Sequence, residues 1–140
     1  MDVDALVRLW SDTYGPPRPP RPPTDLEVFA AEANRRFGVE LPADYRRFLT
    51  LTDGGQYDHA LFYGAGPDDC ALDRADDLHT GSVLPIGSSG NVDGYVLRPD
   101  GRAETVNFFG LTEVYESFPS FTALLAAVLA GRTGKGGADR

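Results

Sequence analysis

A single cysteine, Cys70, excludes an intrachain disulfide, so packing must hold this 140-residue chain together. Lysine is as scarce, Lys135 alone among thirteen basic side chains. Bases as a class are outnumbered by 21 acids, which gives a formal net charge of −8 and a pI near 4.6. A polyanion would have to overcome that field, which argues against nucleic acid as a partner. Long apolar runs are missing too. The longest strictly apolar stretch, Ala123 to Ala130, is far short of the roughly 20 residues that span a bilayer, which argues against a membrane. The opening Met1-Asp2-Val3-Asp4 lacks the basic n-region of a signal peptide, so a cytoplasmic location is expected. No internal repeat is present.

What is present suits one core. Hydrophobic residues make up 41% and aromatics 11%, and a chain of this length buries roughly 70% of its unfolded surface without help from metal or disulfide. A single domain over residues 1–131 is expected, with 132–140 a disordered tail. Charge divides unevenly along it. Residues 1–57 hold seven bases and nine acids, whereas 58–131 hold three bases and eleven acids.

Val3, Leu6, Val7, Trp10 and Tyr14 fall at helical spacing, predicting a helix over about 2–14 that stops at Gly15. Pro16-Pro17-Arg18-Pro19-Pro20-Arg21-Pro22-Pro23 must then run extended, because each ring fixes φ and removes a donor. Such a run can be an SH3 ligand, but a stiff spacer over 15–23 between two helices is the expectation. Thr24 and Glu27 have the spacing of a capping box opening a second helix, whose face is Leu26, Phe29, Ala30, Ala33 and Phe37 and whose end is Gly38. Pro42 suits the first turn of a third helix, with Leu41, Tyr45, Phe48 and Leu49 on one face and an end near Leu51. Asp53-Gly54-Gly55 tolerates the positive φ of a reversal.

From Tyr57 onward short apolar runs alternate with turn residues. Strands are predicted at 60–63, 82–86, 94–97 and 105–109, and Arg98-Pro99-Asp100-Gly101-Arg102 predicts an antiparallel hairpin between the last two. Phe118, Phe121, Leu124, Leu125, Val128 and Leu129 predict a closing helix from near Ser117 to Gly131. The fold class is therefore α+β, an antiparallel sheet of about four to six strands with helices on one face.

The run Phe37-Gly38-Val39-Glu40-Leu41-Pro42-Ala43-Asp44-Tyr45-Arg46-Arg47-Phe48-Leu49, then Asp53-Gly54-Gly55, Asn91-Val92-Asp93-Gly94-Tyr95 and Ser117-Phe118-Pro119-Ser120-Phe121, resembles the SUKH superfamily over roughly residues 24–130. That superfamily includes yeast cell-wall-assembly regulators and many bacterial toxin-immunity proteins. Asp53 stands where Asn is common, Asp93-Gly94 reverses the usual order, and the proline run precedes the shared part. Each signature residue has a folding role: Leu41, Tyr45, Phe48, Phe118 and Phe121 supply core, Pro42 starts a helix, and Gly54 and Gly55 permit a turn. The resemblance thus implies a binding fold rather than an enzyme. It implies an immunity protein that neutralises a cognate toxin by direct binding, with a regulatory or scaffold module as the alternative.

The candidate contact residues are the acids Asp68, Asp69, Asp73, Asp76 and Asp77, with only Arg74 among them. They are either a solvated, partly mobile loop or a face that steers and docks a basic partner such as a nuclease toxin. No cofactor or metal is expected. His59, Cys70 and His79 lack the spacing of a zinc or calcium site. Cys70, Ser82, Ser88 and Ser89 have no nucleophile signature. Gly87-Ser88-Ser89-Gly90 lacks the lysine of a P-loop, and a strand-connecting loop is expected there. Since strands alternate faces, Phe108 and Phe109 cannot both point inward, and one is either an exposed candidate interface anchor or lies under the helices at an edge.

Overall fold

The computed structural model describes residues 1–78 (side chains to 75), 83–89, 93–107 and 113–131. Three helices come first: α1 (Val3–Tyr14), α2 (Pro23–Phe37) and α3 (Ala43–Leu51). The short strands β1 (Gly55–Tyr57) and β2 (Ala60–Phe62) lead into α4 (Ala71–Leu78). Strands β3 (Leu84–Ser89), β4 (Asp93–Leu97), β5 (Ala103–Asn107) and β6 (Val114–Phe118) precede the closing α5 (Phe121–Leu129). The six strands form one antiparallel sheet in chain order, β1 to β6, so every connection joins neighbours.

Helices α1, α3 and α5 contact one another, and α5 touches β5 and β6. Between them Trp10, Tyr45, Phe48, Phe62, Tyr95 and Phe121 are buried in one cluster with Leu84, Ile86, Leu97 and Leu124. Val83, Val96 and Val106 form a separate small buried cluster. Strand alternation explains the split, since Tyr95 and Leu97 turn to the helices while Val96 turns away.

The helical stripes and the 98–102 hairpin lie where the periodicity puts them, except that Tyr14, at the end of the α1 stripe, is 53% exposed and meets the Tyr57 ring at 4.7 Å instead of entering the core. The Asp2 carboxylate caps α1 by accepting from the Ala5 amide at 2.9 Å, and Gly38 closes α2 at φ +68°. Several expectations are corrected. Helix α2 starts at Pro23, with Pro22 as its N-cap, and Thr24 makes no capping hydrogen bond. A proline at the first helical position forgoes an amide that had no partner, and the Asp25 amide, which a side-chain cap could have satisfied, donates to the Pro22 carbonyl at 3.0 Å. Pro42 is likewise the N-cap of α3 rather than a first-turn residue. The closing helix begins at Phe121 behind its cap Ser120, whose hydroxyl accepts from the Ala123 amide at 3.1 Å. Ser117 and Phe118 belong instead to β6.

Gly87, Ser88 and Ser89 are strand residues, not a connecting loop. A side chain at Gly87 would meet the Leu61 carbonyl oxygen at 2.6 Å, so the glycine serves close strand approach. The acidic stretch from Ala71 is a helix, not a mobile loop. The expected tail 132–140 and residues His79, Ser82, Gly90, Asn91, Val92, Phe108 and Phe109 lie outside the described residues.

Candidate partner-binding surface

In the proline run only Arg18 and Arg21 carry a backbone N–H. Arg18 uses both of its main-chain groups: its amide donates to the Gly54 carbonyl at 3.0 Å, and its carbonyl accepts from the Asp53 amide at 2.9 Å. The buried Thr52 hydroxyl donates to the same carbonyl at 2.8 Å. The run is therefore a docked strap across the 52–54 turn. Its arginines are occupied as well, Arg21 by Asp25 at 3.0 Å and Arg18 by Asp69 at 2.7 Å, which leaves little for an SH3 domain to read.

The turn in turn fixes the loop after β2. The buried Asp53 carboxylate accepts from the amides of Ala65 and Gly66, at 2.8 and 3.0 Å. That loop leads to Asp69, which sits at φ +55° and closes on Gly64 through a 3.0 Å backbone bond. Asp69 Oδ2 pairs with Arg18 and Oδ1 with Arg74, both at 2.7 Å, while the Asp68 carbonyl accepts from Arg18 at 3.1 Å. The Arg74 guanidinium also lies 5.6 Å from the centre of the Tyr63 ring.

The five candidate acids thus do different things. Asp69 is a structural clamp joining strap, loop and α4. Asp68 and Asp73 are exposed. Asp76 and Asp77 follow in α4, and helical spacing places position 73 opposite the buried Ala71 and Ala75. The remaining signature residues are core or turn: Leu41, Tyr45, Phe48 and Phe121 are buried, Phe118 is half-buried, and Gly54 and Gly55 have φ of +82° and +137°.

Hydrogen bonding to Arg74 is the main reason the Asp69 carboxyl is held below the usual carboxylate range; partial burial opposes this and Arg18 adds to it. A depressed folded pKa contributes stability that is present at neutral pH and is lost as pH falls below about 4 through the folded value. Asp69→Asn should therefore cost about 1–2 kcal/mol at pH 7 and lose less stability than the parent between pH 5 and 2. Urea titrations of both proteins across that range test this. Coincident pH curves would show that the clamp contributes nothing.

Beside the clamp lies a recess of about 230 Å³ lined by Asp25, Val28 and Phe29 of α2, Ala65 of the loop and Leu72 of α4. Val28 is 66% exposed. Sequence reasoning missed this feature because α4 was not read as a helix. The available signal was a valine standing off the α2 stripe.

Cys70 is half-buried, with burial pushing its thiol pKa up, which disfavours the reactive thiolate. Among the described residues no three His, Cys, Asp or Glu side chains converge as metal ligands, and no helix is long and apolar enough to cross a membrane. His59 sits exposed on the β1–β2 turn beside Asp58, at 3.6 Å.

The SMI1 / KNR4 family (SUKH-1) matches residues 22–127. A solved structure described as a protein from Pseudomonas syringae pv. tomato is similar in fold, with a TM-score of 0.63 at 20% identity, over 89% of this chain and 96% of that one. Among curated proteins none matches.

Proposed function

We propose that this chain, which belongs to the SMI1 / KNR4 family (SUKH-1), acts by binding a protein, as the immunity partner of a basic bacterial toxin. The observation that carries this reading is the acidic surface of α4 and its preceding loop. Asp68 and Asp73 are exposed there, Asp76 and Asp77 follow on the helix, and both nearby arginines, Arg18 and Arg74, are committed to Asp69. An acidic face of this kind accelerates encounter with a cationic partner and sets its orientation. Inhibition would follow from occlusion of the toxin, with no chemical step by this chain.

Co-expression with a toxin domain encoded beside this gene tests the proposal, scored by host survival and by co-purification. Rescue with a stable complex is expected. Failure of both, with the toxin active alone, would favour the regulatory or scaffold alternative. Within a complex, changing Asp68, Asp73, Asp76 and Asp77 to Asn should slow association roughly 10-fold or more at low salt and flatten its salt dependence. Asp69 is left intact because its loss would perturb the fold. Unchanged association kinetics would remove the acidic face from the mechanism.

A further inference from the structure

We infer that the recess between α2 and α4 is an anchor site for one aliphatic side chain of a partner, presented by a segment carrying cationic residues on either side. This deepens the proposed function and rests on its view of α4 as a docking face. The recess has apolar walls, Val28 and Phe29 from one helix and Leu72 from the other, with Ala65 between them. Its volume of about 230 Å³ falls below the roughly 300–1,000 Å³ of small-molecule sites, so it suits a single large side chain better than a cofactor.

Charge selects the occupant. Asp25 lines the recess, and Asp73 directly follows its Leu72 wall. Asp68 is exposed on the loop that supplies Ala65. Arg21 partly offsets Asp25 and Arg18 and Arg74 offset Asp69, while Asp68, three residues beyond the Ala65 wall, and Asp73, next in sequence to the Leu72 wall, are exposed acids on the same loop and helix. An anionic segment would be repelled, and a wholly polar one would leave the valine and leucine wet. Interface hot spots take this form, a desolvated apolar centre within a polar rim.

The walls are also built to persist. Phe29 is fixed in the core, Leu72 packs partly against it, and Ala65 is tied by its amide to Asp53. Val28 alone is spare, since nothing in the packing of α2 requires an apolar residue at a position so exposed.

The test uses the full chain and three synthetic peptides followed by amide chemical shifts: acetyl-Arg-Leu-Leu-Arg-amide, its Glu-flanked counterpart, and a version with serines in place of the leucines. The first should give saturable shifts at Val28, Ala65, Leu72 and Asp73 with a Kd in the millimolar range, and the other two should bind at least ten-fold more weakly. Val28→Lys, exposed and so compatible with folding, should abolish the shifts at an unchanged Tm. Absence of saturable shifts at these residues, equal binding of the Glu peptide, or full binding by Val28→Lys would each overturn the anchor site. Because no toxin is involved, a failed peptide titration beside a successful rescue discards the recess and keeps the immunity reading. Peptide binding without rescue does the reverse.

Discussion

Replacing Phe48 by Ala should destabilise the protein by about 3–5 kcal/mol, the range for a large aromatic removed from a closed core. Phe48 is fully buried where the layers meet. Its ring centre lies 5.0 Å from Phe121 of α5, 5.9 Å from Phe62 of β2, 6.2 Å from Tyr45 of its own helix and 6.3 Å from Trp10 of α1. Those four rings belong to three helices and the sheet, so none can collapse into the void without leaving another contact. Typical domains have about 5–15 kcal/mol in total, and this loss brings the variant near unfolding at 37 °C. Trp10, the only tryptophan, reports the transition directly, being buried against the substituted site. Phe48→Leu, which keeps most of the volume, should cost less than half as much. A loss below about 1.5 kcal/mol for the Ala variant would show that the site relaxes and that the layers are not locked through this ring.

The parts of this core that the sequence discloses are those where large apolar side chains repeat at helical spacing. Leu6 and Trp10, Phe29 and Ala33, Tyr45 and Phe48, and Leu124 and Val128 each mark a buried face, and three of those helices meet around Phe48. Three elements escape: strand β1, only three residues long, offers no alternation to read, and the other two fail for opposite reasons. Helix α4 buries only Ala71 and Ala75 among its described side chains, so it has no bulky stripe to read; it is held by tertiary contact with β3 and by the Asp69 clamp. Strand β6 has apolar residues to read, but Phe118 stands three residues before Phe121 and mimics a helical step. The Ser120 cap decides the boundary, since its hydroxyl satisfies an amide that a longer helix would have bonded internally.

The candidate surface divides in the same way. Its acidic character is visible in residue types alone. The role of Asp69 is not, because its partner Arg18 lies 51 positions away and reaches it only after the strap docks on the 52–54 turn. The recess needs α2, the 64–70 loop and α4 together, and no local pattern encodes that meeting.

Gly54→Ala should be nearly as damaging as loss of Phe48, at about 2–5 kcal/mol, by a mechanism that leaves no cavity. The residue has φ +82°, where a side chain is strained in any surroundings, and its Cβ would overlap the Phe62 carbonyl oxygen and approach that carbonyl carbon to 3.0 Å. Those are backbone atoms of β2. They cannot yield easily, because Phe62 pairs with Gly87 of β3 and its ring is locked in the core. Gly38 supplies the matched control. At φ +68° it has the same handedness but nothing within 4 Å of the added methyl, so Gly38→Ala should cost only the left-handed penalty of about 1–2 kcal/mol. The difference between the two variants isolates the clash. Because the Gly54 carbonyl accepts from the Arg18 amide, the clash should also loosen the strap, and amide exchange at Arg18 and Asp53 should quicken in Gly54→Ala but not in Gly38→Ala. Equal losses and unchanged exchange would mean that β2 gives way to the methyl group, and that the turn holds the strap without help from the sheet beneath it.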